Sequence, residues 1–233
     1  MIVAIHQPSY FPWLGLLHKA RGCDVFVLMD EVQLTDSAYQ HRNQFLTTAG
    51  EVKYLSIPFV RKGYLDRPLR DIALADPHWA RRHRDFLWNN YRKHPFAGEL
   101  FERLEAFYAQ TYATLFEVVR ASMALSFEWM RIPARVVLQT SLDYDRTLRR
   151  GDLVLALVRA AGGDVYLSGT GARAYLDEGA FGRDVALRYD RFTHPVYPQA
   201  HSAAFVPGLA CLDALFNVGL EEAWKLLVDA GTV

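Results

Sequence analysis

The stretch Ile2-Val3-Ala4-Ile5-His6-Gln7-Pro8-Ser9-Tyr10-Phe11-Pro12-Trp13-Leu14-Gly15, followed by Asp24-Val25-Phe26-Val27-Leu28-Met29-Asp30, decides how this chain is read. A short β-branched apolar run ends at a histidine, and two prolines then hold Gln7, Ser9, Tyr10 and Phe11 in an extended path. From Leu14 to Ala20 the spacing is helical, and a second apolar run ends at Asp30. Strand, loop, helix and strand in that order predict a parallel sheet, and ligands of open α/β sheets sit at the carboxyl ends of the strands. His6 is the candidate general base there, with Asp30 orienting it or binding an amine or hydroxyl. Gln7, Tyr10, Lys19 and Gln33 are expected to converge on the same end, Lys19 opposite a carboxylate or phosphate. The plainer alternatives stand beside these: His6 caps its strand, Asp30 caps the residues that follow, and Lys19 is a solvated helix lysine.

Working outward, Arg42–Leu46 and Val52–Ile57 flank the turn signal Thr48-Ala49-Gly50-Glu51 and predict a β-hairpin, whose first strand offers Arg42 and Asn43 either to a ligand carbonyl or to the neighbouring loop. Leu69–Leu74 reads as a further strand. From about 77 to 131 the spacing turns helical, with Trp79, Phe86, Tyr91, Phe101, Tyr108, Phe116, Val119 and Met123 near three- and four-residue intervals, a helical insertion of two or three helices. Beyond Pro133 the α/β alternation returns: Val136–Leu138, a helix from Asp152 to Ala161, the strand Asp164–Leu167, and Val185–Leu187. The expected architecture is one α/β domain over residues 1–233, a mainly parallel sheet with crossover helices of Rossmann-like or HUP-like type, carrying the hairpin and the insertion.

The second concentrated signal is Ser168-Gly169-Thr170-Gly171 after a strand and before a predicted helix that carries Arg173 and Tyr175. Glycines let a ligand approach the backbone, and free amides at a helix start, helped by Arg173, hold a phosphate or carboxylate. The same residues also serve as an ordinary N-cap and tight turn. Neither a Walker A loop nor a complete dinucleotide fingerprint is present.

Composition narrows the class. Of 233 residues 51% are hydrophobic, enough to bury a full core, and 26 basic residues balance 26 acidic ones, which leaves no excess field to hold nucleic acid. No apolar stretch approaches the roughly 18 residues of a membrane span, and Met1 leads into a strand with no signal-like region, so a cytoplasmic protein is expected. Cys23 and Cys211 are the only cysteines, read as reduced thiols, with Cys211 in the core. His78, His83 and His94 are not spaced three or four apart, which argues against zinc, and no metal site is expected. Arg81-Arg82-His83-Arg84 reads as a solvated helix face, with anionic-ligand binding as the alternative, and Arg146, Arg149 and Arg150 admit the same two readings.

A resemblance extends over nearly the whole chain. His6-Gln7-Pro8 with Tyr10, Pro12, Trp13, Gly15 and Lys19, Asp24–Val27 with Asp30, Val32 and Gln33, Arg42-Asn43, Leu55 with Pro58, Tyr166–Gly169 with Tyr175-Leu176, and Phe205-Val206-Pro207 with Leu212–Gly219 together resemble the WbqC-like proteins, often encoded among genes for surface-polysaccharide and modified-sugar synthesis. The usual Asn-Arg-Asn element is His41-Arg42-Asn43 here and the usual serine near the terminal element is Ala210, so His41 and Ala210 inherit no role. The resemblance implies an α/β fold and a transferase-like context without supplying a reaction. More distantly, strand, His6, prolines, Gly15, helix and Asp30 are similar to the start of HIGH-motif nucleotidyltransferases and pantothenate-synthetase-like ligases, although the paired His-x-Gly-His and a lysine-rich loop are absent.

The leading expectation is transfer of an acyl or aminoacyl group to a small polar acceptor such as an amino sugar or nucleotide sugar. His6 deprotonates the acceptor, Gln7, Asp30 and Asn43 orient it, and Ser168–Gly171 with Arg173 hold an anionic part of donor or acceptor. The donor is an acyl thioester, with an acyl carrier protein as a partner, or a nucleotide. Nucleotidyl transfer or ATP-dependent ligation is the second expectation, and a non-catalytic binding protein the third. Oligomeric state is not readable from the sequence.

Overall fold

The structure, a computed structural model, describes residues 1–35, 39–171, 181 and 184–232. In chain order it contains β1 (Ile2–His6), α1 (Leu14–Arg21), β2 (Val25–Leu28), β3 (Arg42–Leu46), β4 (Val52–Ser56), α2 (Trp79–Tyr91), α3 (Ala97–Ala109), α4 (Leu115–Trp129), β5 (Arg135–Leu138), α5 (Arg150–Ala160), β6 (Val165–Ser168), β7 (Ala186–Tyr189), β8 (Arg191–Phe192), α6 (Cys211–Asp229) and β9 (Gly231–Thr232). Five strands form one sheet in the order β5-β2-β1-β6-β7, with every neighbouring pair parallel. Numbered within the sheet that is 3-2-1-4-5, a Rossmann-like arrangement whose strand order reverses between β1 and β6. A crevice opens at that reversal, at the carboxyl ends carrying His6 and Ser168.

The two-residue period of the strands sorts their side chains onto two faces. Val3, Ile5, Val25, Val27 and Tyr166 pack against Val154, Leu157 and Val158 of α5. Ala4, Phe26, Leu28 and Leu167 join the larger core shared with α1, α4 and α6. That core continues through α2, α3 and α4, where the spacing predicts two or three helices and where Trp79, Leu87, Tyr91, Leu100, Leu104, Phe107, Val119 and Met123 are all buried. The hairpin β3–β4 pairs antiparallel from Arg42↔Ser56 to Leu46↔Val52, close to the predicted bounds.

One predicted strand is corrected. Leu69–Leu74 is not a strand but a turn of 3₁₀ helix at Leu69–Asp71, with only single-residue bridges at Phe59↔Leu74 and Ala73↔Thr114. Its buried residues, Leu69 and Ile72, are three apart, which is the spacing of a turn. Pro68 immediately before it supplies no backbone donor to a ladder.

The proline loop after β1 is fastened rather than free. Phe11 sits at φ 38°, and four hydrogen bonds hold this uncommon conformation and its neighbour. Its N–H donates to Ser122 Oγ (3.2 Å), Tyr10 N–H donates to the Tyr39 carbonyl (3.0 Å), and Asn43 Nδ2 donates to the carbonyls of Tyr10 (2.9 Å) and Phe11 (2.7 Å). Gly15, the second residue of α1, lies under the Trp13 indole, where a Cβ would come within 2.3 Å of the ring. Helix α6 is broken at Gly219, whose φ of 79° and contact with the Phe96 ring suit only glycine.

Candidate functional site

His6 ends β1 at the crevice. Its Nδ1–H donates to the Gln7 carbonyl (2.7 Å), which fixes the neutral tautomer and leaves the Nε2 lone pair without a partner among the described residues. Burial, then the neighbouring Lys19, push its pKa down from 6.5 to about 3, against the Gln7 hydrogen bond. Lys19, on the last turn of α1, donates from Nζ to the Ile5 carbonyl (3.1 Å) and is only 6% exposed. Burial lowers its pKa to about 8, with Cys23 and Asp190 acting the other way. No carboxylate among the described residues forms an ion pair with it.

Two adjoining cavities share His6, Lys19, Gly169 and Gly171. One, of about 360 Å³, is walled by Gln7, Met29, Tyr166 and Ser168. The other, of about 250 Å³, is walled by Trp13, Thr170, Asp190 and Phe192. Asp190 is fixed by His18, whose Nδ1 lies 2.7 Å from its Oδ1. Ser168 is fully buried, its hydroxyl donating to the Gly169 carbonyl at 3.3 Å. Neither Gly169 nor Gly171 has a positive φ, and among the described residues nothing lies within 4 Å of an added Cβ at either. Gln7 is exposed; its Oε1 accepts from Gln40 Nε2 (3.1 Å), and it also lines a third cavity of about 580 Å³ together with Gln33.

The structure thus brings His6, Gln7, Lys19, Ser168, Gly169, Thr170 and Gly171 together, with Gln33 on the adjacent rim. It places others elsewhere. Tyr10 is wholly buried, its hydroxyl donating to His83 Nδ1 (2.9 Å) and accepting from Tyr108 (3.0 Å), while His83 Nε2–H donates to the Ser56 carbonyl (3.0 Å). Asn43 is buried under the proline loop and shapes the cleft at one remove, and Arg42 lies 4.3 Å from the Tyr54 ring. Asp30 does not take up the His6 ring proton: Oδ1 accepts from Thr140 N–H (3.0 Å) and Oδ2 from the Thr140 hydroxyl (2.6 Å), pinning the turn after β5. Arg173, Tyr175 and the predicted helix opening there lie outside the described residues. Both cysteines are buried free thiols pushed up to about 12 by burial, which removes them as nucleophiles at neutral pH.

Residues missed from the sequence line the third cavity. Gln139 follows β5, and its Nε2 donates to Tyr144 Oη (2.7 Å), which donates to Glu31 Oε2 (2.7 Å). Arg70 (3.2 Å) and Arg146 (3.6 Å) flank Glu31. The rule that pointed to His6 also applies to Gln139, the first residue past a parallel strand, once Val136–Leu138 is placed in the sheet.

The model of the WbqC-like protein family matches residues 7–224. This chain belongs to that family. The WbqC-like match takes in Gln7, Lys19 and Ser168–Gly171, so it contains most of the cleft. A curated relative, uncharacterized protein Rv1507c of Mycobacterium tuberculosis, is 28% identical over 222 residues, 94% of each chain. No solved structure matches this WbqC-like chain. No helix of the described residues is long and apolar enough to cross a membrane.

Proposed function

We propose that this WbqC-like chain is a small-molecule transferase that moves an acyl or aminoacyl group onto the amine or hydroxyl of a small polar acceptor. The observation that carries the reading is the pairing, at the strand-order reversal, of a neutral histidine whose Nε2 has no hydrogen-bond partner among the described residues with a buried lysine that forms no ion pair among them. The acceptor nitrogen or oxygen bonds to the donor carbonyl carbon while its proton passes to Nε2, and the donor's leaving group departs with the electrons of the broken bond. Lys19 and the backbone of Gly169–Gly171, which line the cleft, hold an anionic part of the donor or acceptor. That anion also tunes the base. With Lys19 neutralised, one of the two causes of the low His6 pKa is cancelled, so the imidazole gains basicity when the ligand is seated. Asp30 supports this indirectly, by holding the β5 turn. An amino sugar or nucleotide sugar as acceptor comes from the family context, and an acyl thioester as donor, free or on a carrier protein, from the chemistry of the step.

Nucleotidyl transfer or ATP-dependent ligation is a second reading, favoured by the 3-2-1-4-5 order with a histidine at the end of the first strand, ahead of the loop that leads into α1. Turnover assays separate the two. The purified protein is offered acyl thioesters with amino-sugar acceptors in chelator, and separately ATP with magnesium. Thioester consumption in chelator that falls at least about 100-fold in His6→Gln supports transfer. Magnesium-dependent release of pyrophosphate or phosphate selects the second reading, and consumption of neither donor overturns both.

A further inference from the structure

The smaller cavity beside His6, of about 250 Å³, carries charges of both signs that do not meet. Lys19 (6% exposed) and Asp190 (5% exposed) both line it, and Asp190 is its one carboxylate among the described residues. Burial loosens the Lys19 proton while Cys23 and Asp190 act against that, so the two charges feel each other. Yet no ion pair joins them among the described residues. Opposite charges taken out of water need partners, and a direct pair would be the nearest way to regain lost hydration. Here each is tethered away from the other. Lys19 Nζ is held by the Ile5 carbonyl (3.1 Å), and Asp190 Oδ1 by His18 Nδ1 (2.7 Å). Asp190 Oδ2 has no hydrogen-bond partner among the described residues, and it is not one of the polar atoms sealed from solvent, as His18 Nε2 is. Aromatic rings complete the wall: Trp13 and Phe192 meet edge to face at 5.3 Å, and the indole lies over Gly15, where an added Cβ would clash with it. A carboxylate beside aromatic rings suits an ammonium group, and a buried lysine suits an anion. Arg191, exposed at the same cavity, adds to the positive side.

We infer that this cavity takes a small molecule carrying both a primary ammonium and an acid group, the ammonium on Asp190 Oδ2 and the acid on Lys19, so that the ligand completes the ion pairing the fold leaves open. An α-amino acid and an amino-sugar phosphate share that chemistry. On the transferase reading this ligand is the acceptor, and the inference rests on that reading only in taking the cleft as a small-molecule site.

The test measures, by calorimetry at pH 7, ligands paired so that only the ammonium differs: L-alanine against L-lactate, and glucosamine 6-phosphate against glucose 6-phosphate, with methyl phosphate as the bare anion. Wild type is compared with Asp190→Asn, whose amide oxygen still accepts from His18. The expected result is that in at least one pair the amine binds wild type about tenfold more tightly than its hydroxyl counterpart. Asp190→Asn erases that preference. It weakens the amine, while methyl phosphate and the hydroxyl counterpart bind as well as before or better, because a negative charge has left the cavity. A preference confined to the alanine pair identifies an amino acid, and one confined to the glucosamine pair an amino-sugar phosphate. A crystal of the wild-type complex, which needs no variant to fold, places the ammonium nitrogen within hydrogen-bond distance of Asp190 Oδ2. No preference in either pair, no binding of any probe, a preference kept in Asp190→Asn, or an ammonium seated away from Asp190 overturns the inference. Turnover does not enter the readout. A catalytically silent protein that still shows the Asp190-dependent preference therefore refutes the transferase reading alone, and a turning-over enzyme without the preference refutes the ammonium-and-acid site alone.

Discussion

Replacing Lys19 by methionine should stabilise the protein while removing its ligand. The lysine is buried, bonded once to a backbone carbonyl, and its pKa falls from 10.5 to about 8. A group that holds its proton less tightly in the fold than in the unfolded chain penalises folding below both values. At pH 7 the difference amounts to about 3 kcal/mol. Methionine fills nearly the same space without the charge, and forfeits one hydrogen bond of about 1 kcal/mol. The net expected gain is about 2 kcal/mol, or roughly 4–8 °C in the midpoint of a domain this size. The sign has a second signature. Between pH 8 and 10.5 the wild-type fold sheds the Lys19 proton before the unfolded chain does, so its stability rises with pH relative to the variant and the advantage of Lys19→Met fades. Urea unfolding at pH 7, 8.5 and 10, with both proteins side by side, reads both effects, because every other titrating group cancels in the difference. A variant less stable than wild type at pH 7, or a constant difference across that range, would refute the reasoning. Loss of methyl phosphate binding in the stabilised variant completes the expectation, since binding sites commonly trade stability for function.

Three further outcomes are expected. Asn43→Ala removes two buried hydrogen bonds to the strained turn at Phe11 and should lower stability by about 3 kcal/mol in urea unfolding; a change within 1 kcal/mol would show that the turn holds itself. Gly219→Ala puts a Cβ at 2.6 Å from the Phe96 ring at a φ of 79°, so it should cost about 2 kcal/mol or more, whereas wild-type stability would mean that α6 straightens without loss. Acid should destabilise the fold from about pH 6.5 downward to about pH 3: His6 and His83, depressed to about 3 and about 4, refuse protons that the unfolded chain accepts. His6→Gln should flatten that fall, and an unchanged pH profile in the variant would place the sensitivity elsewhere.

What the sequence made legible divides along physical lines. Strands whose two faces are both buried, such as Val25–Leu28, leave unbroken apolar runs, and their polar ends announce the cleft, which is how His6, Lys19 and Ser168–Gly171 could be read. Helical periodicity gave α2, α3 and α4 equally well. Leu69–Leu74 was misread because six residues around two core leucine and isoleucine contacts fit a turn and a strand alike until Pro68 is weighed. Tyr10 and Asn43 look like ligand groups in sequence because they are polar and close to His6; only the fold reveals that Tyr108, His83 and the Phe11 carbonyl already occupy them. Gln139 and Tyr144 were hidden for the opposite reason, since they sit over 130 residues from Gln7 and share a cavity with it only through the adjacency of β5, β2 and β1.

That adjacency also sets a timetable. The central strand β1 is made first, and β2 joins one side of it within 30 residues, yet its other edge pairs with β6, Ile2 against Val165. At ribosomal speeds of about 5–20 residues per second, that edge stays unpaired for roughly ten to thirty seconds in the nascent chain. A bare, apolar central strand is the part of a sheet most prone to pairing with a stranger. Yield during synthesis therefore depends on what shields Ile2–His6 in that interval, and slowing translation beyond α4 should raise the fraction that aggregates even though the finished fold is unchanged.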